Sequence, residues 1–141
     1  MKVRFTIPGE PQGKGRPRTV RNGSLTRTYT PEKTASYENL IKLEYQRQNP
    51  HRPGWFNGEA LRMAVTCFYG LSKSDSKKKR EAKLDGAIRP TKKPDIDNIL
   101  KAIFDALNGY AFEDDSQIVF VTAEKFYAEE PFVEVWIDEF R

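Results

Sequence analysis

Two aspartates two residues apart, Asp95 and Asp97, stand at the start of a helical pattern. Lys101 lies one turn further in, and a second acidic pair, Asp114-Asp115, follows the pattern's end. Carboxylate oxygens are the ligands that hard divalent cations prefer, and Mg²⁺ sites commonly use one or two of them with water and substrate phosphate. A lysine four residues after Asp97 shares its helix face, where it would meet charge developing on a phosphoryl group. The chemistry these types suggest is metal-assisted hydrolysis of a phosphodiester. Each piece also has a plainer reading. Asp is a favoured N-cap and complements the helix dipole, an i,i+4 Asp–Lys pair suits any solvated helix, and Asp114-Asp115-Ser116 is by itself an ordinary turn. Their order along one segment, next to a basic stretch, favours a site.

The helix that must position them spans about 96–108. Ile96, Ile99, Leu100, Ile103, Phe104 and Leu107 fall on one face, with Asp97, Lys101, Asp105 and Asn108 opposite. Pro94 disfavours helix in the residue before it, and Asn108-Gly109 closes the far end. A strand over 117–126 comes next. If it lies beside the helix N-terminus, Asp115 joins Asp95 and Asp97. Three such carboxylates would repel one another, so an Asp→Asn change would raise metal-free thermal stability.

Val3, Phe5 and Ile7 alternate with polar residues as a first strand. Residues 12–28 read as a Gly/Arg/Pro-rich loop or hairpin arm. Thr30-Pro31 opens a helix running to about Gln48. Alternation over 60–69 gives a second strand, 71–93 a basic connector with a short helix at 76–84, and 132–138 a final strand. The order β-loop-α-β-loop-α-β-β predicts an α+β fold, a small mixed sheet with helices packed on one face. At 141 residues the chain is expected to form a single domain, 1–141.

The net charge is only +4, but it is unevenly spread. Residues 9–28 carry five basic and one acidic side chain, and 71–93 carry nine and three, while the remainder is net −6. Two cationic segments on a mildly acidic body suit a polyanion. Candidate phosphate contacts are Lys14, Arg16, Arg18 and Arg21 in the first segment. Lys77, Lys78, Lys79, Arg80, Lys92 and Lys93 are those in the second. The single cysteine, Cys67, excludes an internal disulfide framework and reads as a buried thiol. Tyr29, Trp55 and Phe56 suit packing better than base stacking, and His51 suits an exposed, non-catalytic position. No apolar run is long enough to span a bilayer and no signal peptide opens the sequence, so a cytoplasmic location is expected.

The ordered set Pro94-Asp95-Ile96-Asp97-Asn98, Lys101, Phe104-Asp105-Ala106-Leu107-Asn108-Gly109 and Asp114-Asp115-Ser116-Gln117-Ile118 resembles the RusA family of Holliday junction resolvases. The opening strand, basic loop and Thr30-Pro31 helix start are similar too, so the likeness extends over most of the chain. The resemblance implies a metal-dependent endodeoxyribonuclease, common in phages and prophages, using Mg²⁺ with Mn²⁺ as an alternative. It implies that Asp95, Asp97 and Asp115 are the essential, metal-holding acids, that Lys101 is the essential lysine, and that Asp114 matters less. It implies a homodimer that cuts two strands of a four-way junction symmetrically. The loop 14–21 and the connector 71–93 match less closely. Two other readings stand beside it, a nuclease for flaps or other branched DNA and a non-catalytic DNA-binding accessory protein.

Overall fold

The computed structural model describes residues 2–15, 18–29, 32–50 and 56–141. Its elements are β1 (Lys2–Pro8), β2 (Arg18–Asn22), β3 (Leu25–Tyr29), α1 (Glu32–Gln48), β4 (Leu61–Gly70), α2 (Lys77–Leu84), α3 (Ile96–Leu107), a 3₁₀ turn (Asp115–Gln117), β5 (Ile118–Ala128) and β6 (Phe132–Glu139). The expected α+β architecture is present, with each expected element within a few residues of its place. The expected Thr30-Pro31 helix start lies outside the described residues, as do His51 and Trp55.

The main sheet has the order β1-β6-β4-β5, and β2 and β3 form a separate antiparallel hairpin. The last strand in sequence therefore sits between the first and β4. β4 and β5 are parallel, and the long crossover between them carries α2 and α3. The register explains the alternation seen in sequence. Phe5, Val135 and Val65 stand side by side, as do Ile7, Val133 and Cys67. All of these are buried, and together with Val3, Ile137, Met63 and Tyr69 they make one apolar face.

α1 and α3 cover that face. Tyr37, Ile41 and Tyr45 of α1 and Ile99, Ala102, Ile103, Ala106 and Leu107 of α3 are buried in the same cluster. Burying a side chain of this size contributes about 1.5–3 kcal/mol, so the helical stripe fixes how α3 lies on the sheet. The Phe5 and Tyr45 rings meet edge to face at 5.5 Å. Phe56, one of the aromatics weighed for stacking on bases, is core. Cys67 is 1% exposed at the centre of β4, and burial pushes its thiol pKa up to about 11.

α2 starts at Ser76, whose side chain accepts from the Lys79 N–H. Lys83, near its end, is buried with its ammonium 2.6 Å from Asp75 and 4.5 Å from the Tyr127 ring centre. That hydrogen bond from Lys83 holds the Asp75 carboxyl below the usual carboxylate range. No helix among the described residues is long and apolar enough to cross a membrane.

Candidate active site

Asp95 occupies the N-cap position of α3 with extended backbone (φ −69°, ψ 153°), yet its side chain makes no capping hydrogen bond. Its own carbonyl accepts the first helical bond, from the Ile99 N–H. Asp97 follows in the first turn. Both are exposed, as is Lys101. Among the described residues none of these three side chains makes a hydrogen bond or ion pair. The plainer roles, a cap and a surface Asp–Lys pair, are thus not the ones the structure uses.

The mouth of α3 is held from several directions. The buried Tyr69 hydroxyl donates to the Pro94 carbonyl at 2.8 Å, and burial raises the pKa of that phenol. Lys125 Nζ donates to the Lys92 carbonyl at 2.7 Å. From the other side the Lys14 N–H donates to the Asn98 carbonyl at 3.0 Å. Gly13 lies so close that an added Cβ would come within 2.9 Å of Asn98 Cβ and 3.1 Å of Pro94 Cβ. Only a residue without a side chain allows that approach. The Gly15 N–H then donates to the buried Thr34 Oγ1 of α1. The root of the basic arm is therefore stitched to both helices at the site.

Lys14, expected as a phosphate contact, is engaged within the chain. Its ammonium is 2.6 Å from Glu38 and 3.2 Å from Asp105, and its side chain is 18% exposed. Burial alone would lower its pKa, but the two carboxylates outweigh that and leave it raised. Asp105, one turn beyond Lys101, is thus engaged by Lys14. Of the other basic candidates, Arg21, Lys77, Lys78, Lys79, Arg80, Lys92 and Lys93 are exposed. Arg80 pairs with Glu129 at 3.1 Å, and Lys79 lies 3.8 Å from Asp75. Arg16 and the Arg18 side chain lie outside the described residues.

Asp115 is where expectation and structure part. Its N–H donates to Asn108 Oδ1 at 3.2 Å, at the C-terminal end of α3. A 12-residue helix is about 18 Å long, so Asp115 stands at the opposite end from Asp95 and Asp97. Accordingly, no group of three or more His, Cys, Asp or Glu among the described residues could hold a metal ion. The expected convergence of the three acids does not occur within one chain. The reason is local. After Gly109 (φ +72°) the loop folds back on the helix end, with the Gly109 N–H bonded to the Phe112 carbonyl. Asp114 meanwhile accepts from the Ser116 N–H and forms a capping box with Gln117. The Ser116 side chain foremost, and then the Ser116 N–H, lower the pKa of its carboxyl.

Sequence reasoning gave no positioning role to Tyr69, which fell within the second strand, or to Asn108, placed on the polar face and at the end of the helix. A tyrosine at the end of a buried stripe needs a partner for its hydroxyl, and that was the available signal. The profile of the family named Endodeoxyribonuclease RusA matches residues 8–138. The chain belongs to the RusA endodeoxyribonuclease family. This RusA-family chain is also 41% identical over 140 residues to the Bacillus subtilis (strain 168) protein named Uncharacterized protein YqaN. That alignment covers 97% of this chain and 96% of the relative. The RusA match includes the whole of α3, its mouth and the 3₁₀ turn that carries Asp115.

Proposed function

We propose that this protein is a divalent-cation-dependent endonuclease that resolves four-way DNA junctions by two symmetric nicks, acting as a homodimer. The observation that carries the reading is the uncommitted trio Asp95, Asp97 and Lys101 at a rigidly held helix mouth in a RusA-family chain. Asp95 and Asp97 fit a Mg²⁺ or Mn²⁺ ion, which takes one or two carboxylates and completes its shell with water and phosphate. Such an ion polarises a phosphoryl oxygen and makes water a better nucleophile.

Asp95 and Asp97 would hold such an ion beside the scissile phosphate, and the Lys101 ammonium offsets the charge that grows on the phosphate oxygens. Hydrolysis joins the oxygen of water to phosphorus, breaks one P–O ester bond, and leaves the released sugar oxygen to take up a proton. Removing a preorganised donor to such a charge slows the reaction by about 10²–10³-fold, so Lys101→Met is expected to do so at unchanged junction affinity. The third acid, Asp115, cannot join from the same chain. In a two-fold dimer the partner's Asp115 supplies it, so that each site draws on both copies. Arg21, Lys77, Lys78, Lys92 and Lys93 meet the phosphate backbone, and junction affinity then falls steeply with salt.

The test is incubation of a labelled four-way junction and a matching linear duplex with Mg²⁺ or EDTA. Paired nicks at the junction that need Mg²⁺ are expected. Binding with no cleavage in either Mg²⁺ or Mn²⁺ would sink the enzymatic reading, and faster cleavage of flaps would redirect it to other branched DNA.

A further inference from the structure

Side chains alternate along a strand, so the main sheet has a second face, turned away from α1 and α3. The register sets it out in rows. Lys2, Asp138, Arg62 and Phe120 stand side by side, and Arg4, Trp136, Ala64 and Thr122 form the next row. Ala64 has only a methyl where its neighbours are long, and a hollow of about 380 Å³ opens there. Trp136 and Phe120 line it, together with Lys2, Arg62, Asp138 and Thr122.

Trp136 is fixed as one wall. Its Nε1–H donates to Glu134 at 2.7 Å. The Lys2 ammonium and the Arg4 guanidinium lie 4.5 and 5.1 Å from its ring centre. Both come from β1 and hold the ring from that side, while its neighbour on the β4 side is Ala64. Beside it Arg62 donates to Asp138 at 3.0 Å. One such bond leaves further N–H groups on the guanidinium and lone pairs on the carboxylate. Donors and acceptors side by side suit the polar edge of a nucleobase, and an aromatic ring suits its flat face. Lys2 and Arg62 outnumber Asp138 among the lining charges, which favours a phosphate at the rim. An adjoining hollow of about 290 Å³ shares Lys2, Arg62 and Asp138 and reaches Arg141, so the path continues beyond one nucleotide.

We propose that this hollow binds one unpaired nucleotide of a DNA strand, the base lying on Trp136 and its polar edge on Arg62 and Asp138. It is a different site from the acids at α3. Tyr69, which holds the mouth of α3, stands five residues along β4 from Ala64, about 17 Å away, and points to the opposite face. The choice of DNA rests on the proposed nuclease reading, but the hollow is tested without cleavage.

Trp55→Phe leaves Trp136 as the sole indole. Its fluorescence is followed while short oligothymidylate is added in EDTA. Quenching is expected, with a much weaker response to thymidine monophosphate. Ala64→Leu, which fills the hollow, should weaken oligonucleotide affinity about 10-fold, the scale of one base–aromatic stack. Arg62→Met should weaken it as well, and both variants should keep the wild-type circular dichroism spectrum. Should W55F not fold, the Trp136 indole N–H resonance of the wild-type chain gives the same reading. No response of Trp136 to the strand, or a response undiminished in both A64L and R62M, would overturn the site. Equal affinity for thymidine monophosphate would overturn the strand as its occupant. An indole signal that changes only on dilution would assign the hollow to a second copy instead. Quenching in a protein that nicks no junction upholds the hollow and counts against the nuclease reading alone.

Discussion

Asp114 and Asp115 are adjacent and chemically alike, yet the fold treats them in opposite ways. Asp114 spends its carboxylate on the Ser116 N–H, whereas the Asp115 side chain makes no hydrogen bond or ion pair among the described residues. Asp114→Ala should therefore lower the urea midpoint while leaving cleavage intact, and Asp115→Asn should do the reverse. A change in neither quantity for either variant would remove the distinction. The same logic separates Lys14 from Lys101, two lysines that composition cannot tell apart. Lys14→Met leaves Glu38 and Asp105 without their shared partner. After discounting for the 40% exposure of Asp105, the loss is about 1–2 kcal/mol, measurable by urea unfolding. Lys101→Met should cost no stability. Sequence reasoning singled out Lys101 because its spacing from Asp97 is local. It could not see that Lys14 is ion-paired, because Glu38 and Asp105 come from two helices remote in the chain.

At the level of elements, periodicity carried most of the information. The stripe Ile99, Ile103 and Leu107 and the alternation in β4 and β6 reflect burial by one neighbour, which any local reading can recover. What joins elements was not legible. Gly13 looked like one more glycine in a flexible arm, and only its closeness to Asn98 and Pro94 reveals a joint. Gly13→Ala should push the arm root off α3 and cut junction cleavage more than it lowers Tm, comparing rate and melting curve on one preparation. α2 provides a pH test. The Asp75 carboxyl is depressed in the folded state, so its contribution is present above the ordinary carboxylate value of about 3.9. It is lost as pH falls through the lower folded value. Asp75→Asn should flatten the acid limb of stability below about pH 4, and an unchanged limb would show that the Lys83 pair contributes nothing there.

For the whole molecule, strand order decided what the sequence left open. β6 inserts between β1 and β4, which puts β5 at the rim and its apolar start in water. Read along the chain, 117–126 is a strand, and nothing local in Ile118-Val119-Phe120-Val121 reports that its start is exposed. The same nonlocal arrangement carries Asp115 away from Asp97, and no spacing rule reports it. A site shared between copies has a genetic consequence. Inactive Asp97→Asn and inactive Asp115→Asn chains, mixed and allowed to exchange subunits, should regain nicking of one strand per junction, because each heterodimer keeps one site intact. No recovery would confine the site to one chain. The fold also contains its own clock. Cys67 lies in the middle of β4 and is 1% exposed, and no second thiol confuses its signal. A thiol reagent can reach it only when the central sheet opens. The labelling rate at rising reagent concentration then reads first the free energy and finally the speed of that opening.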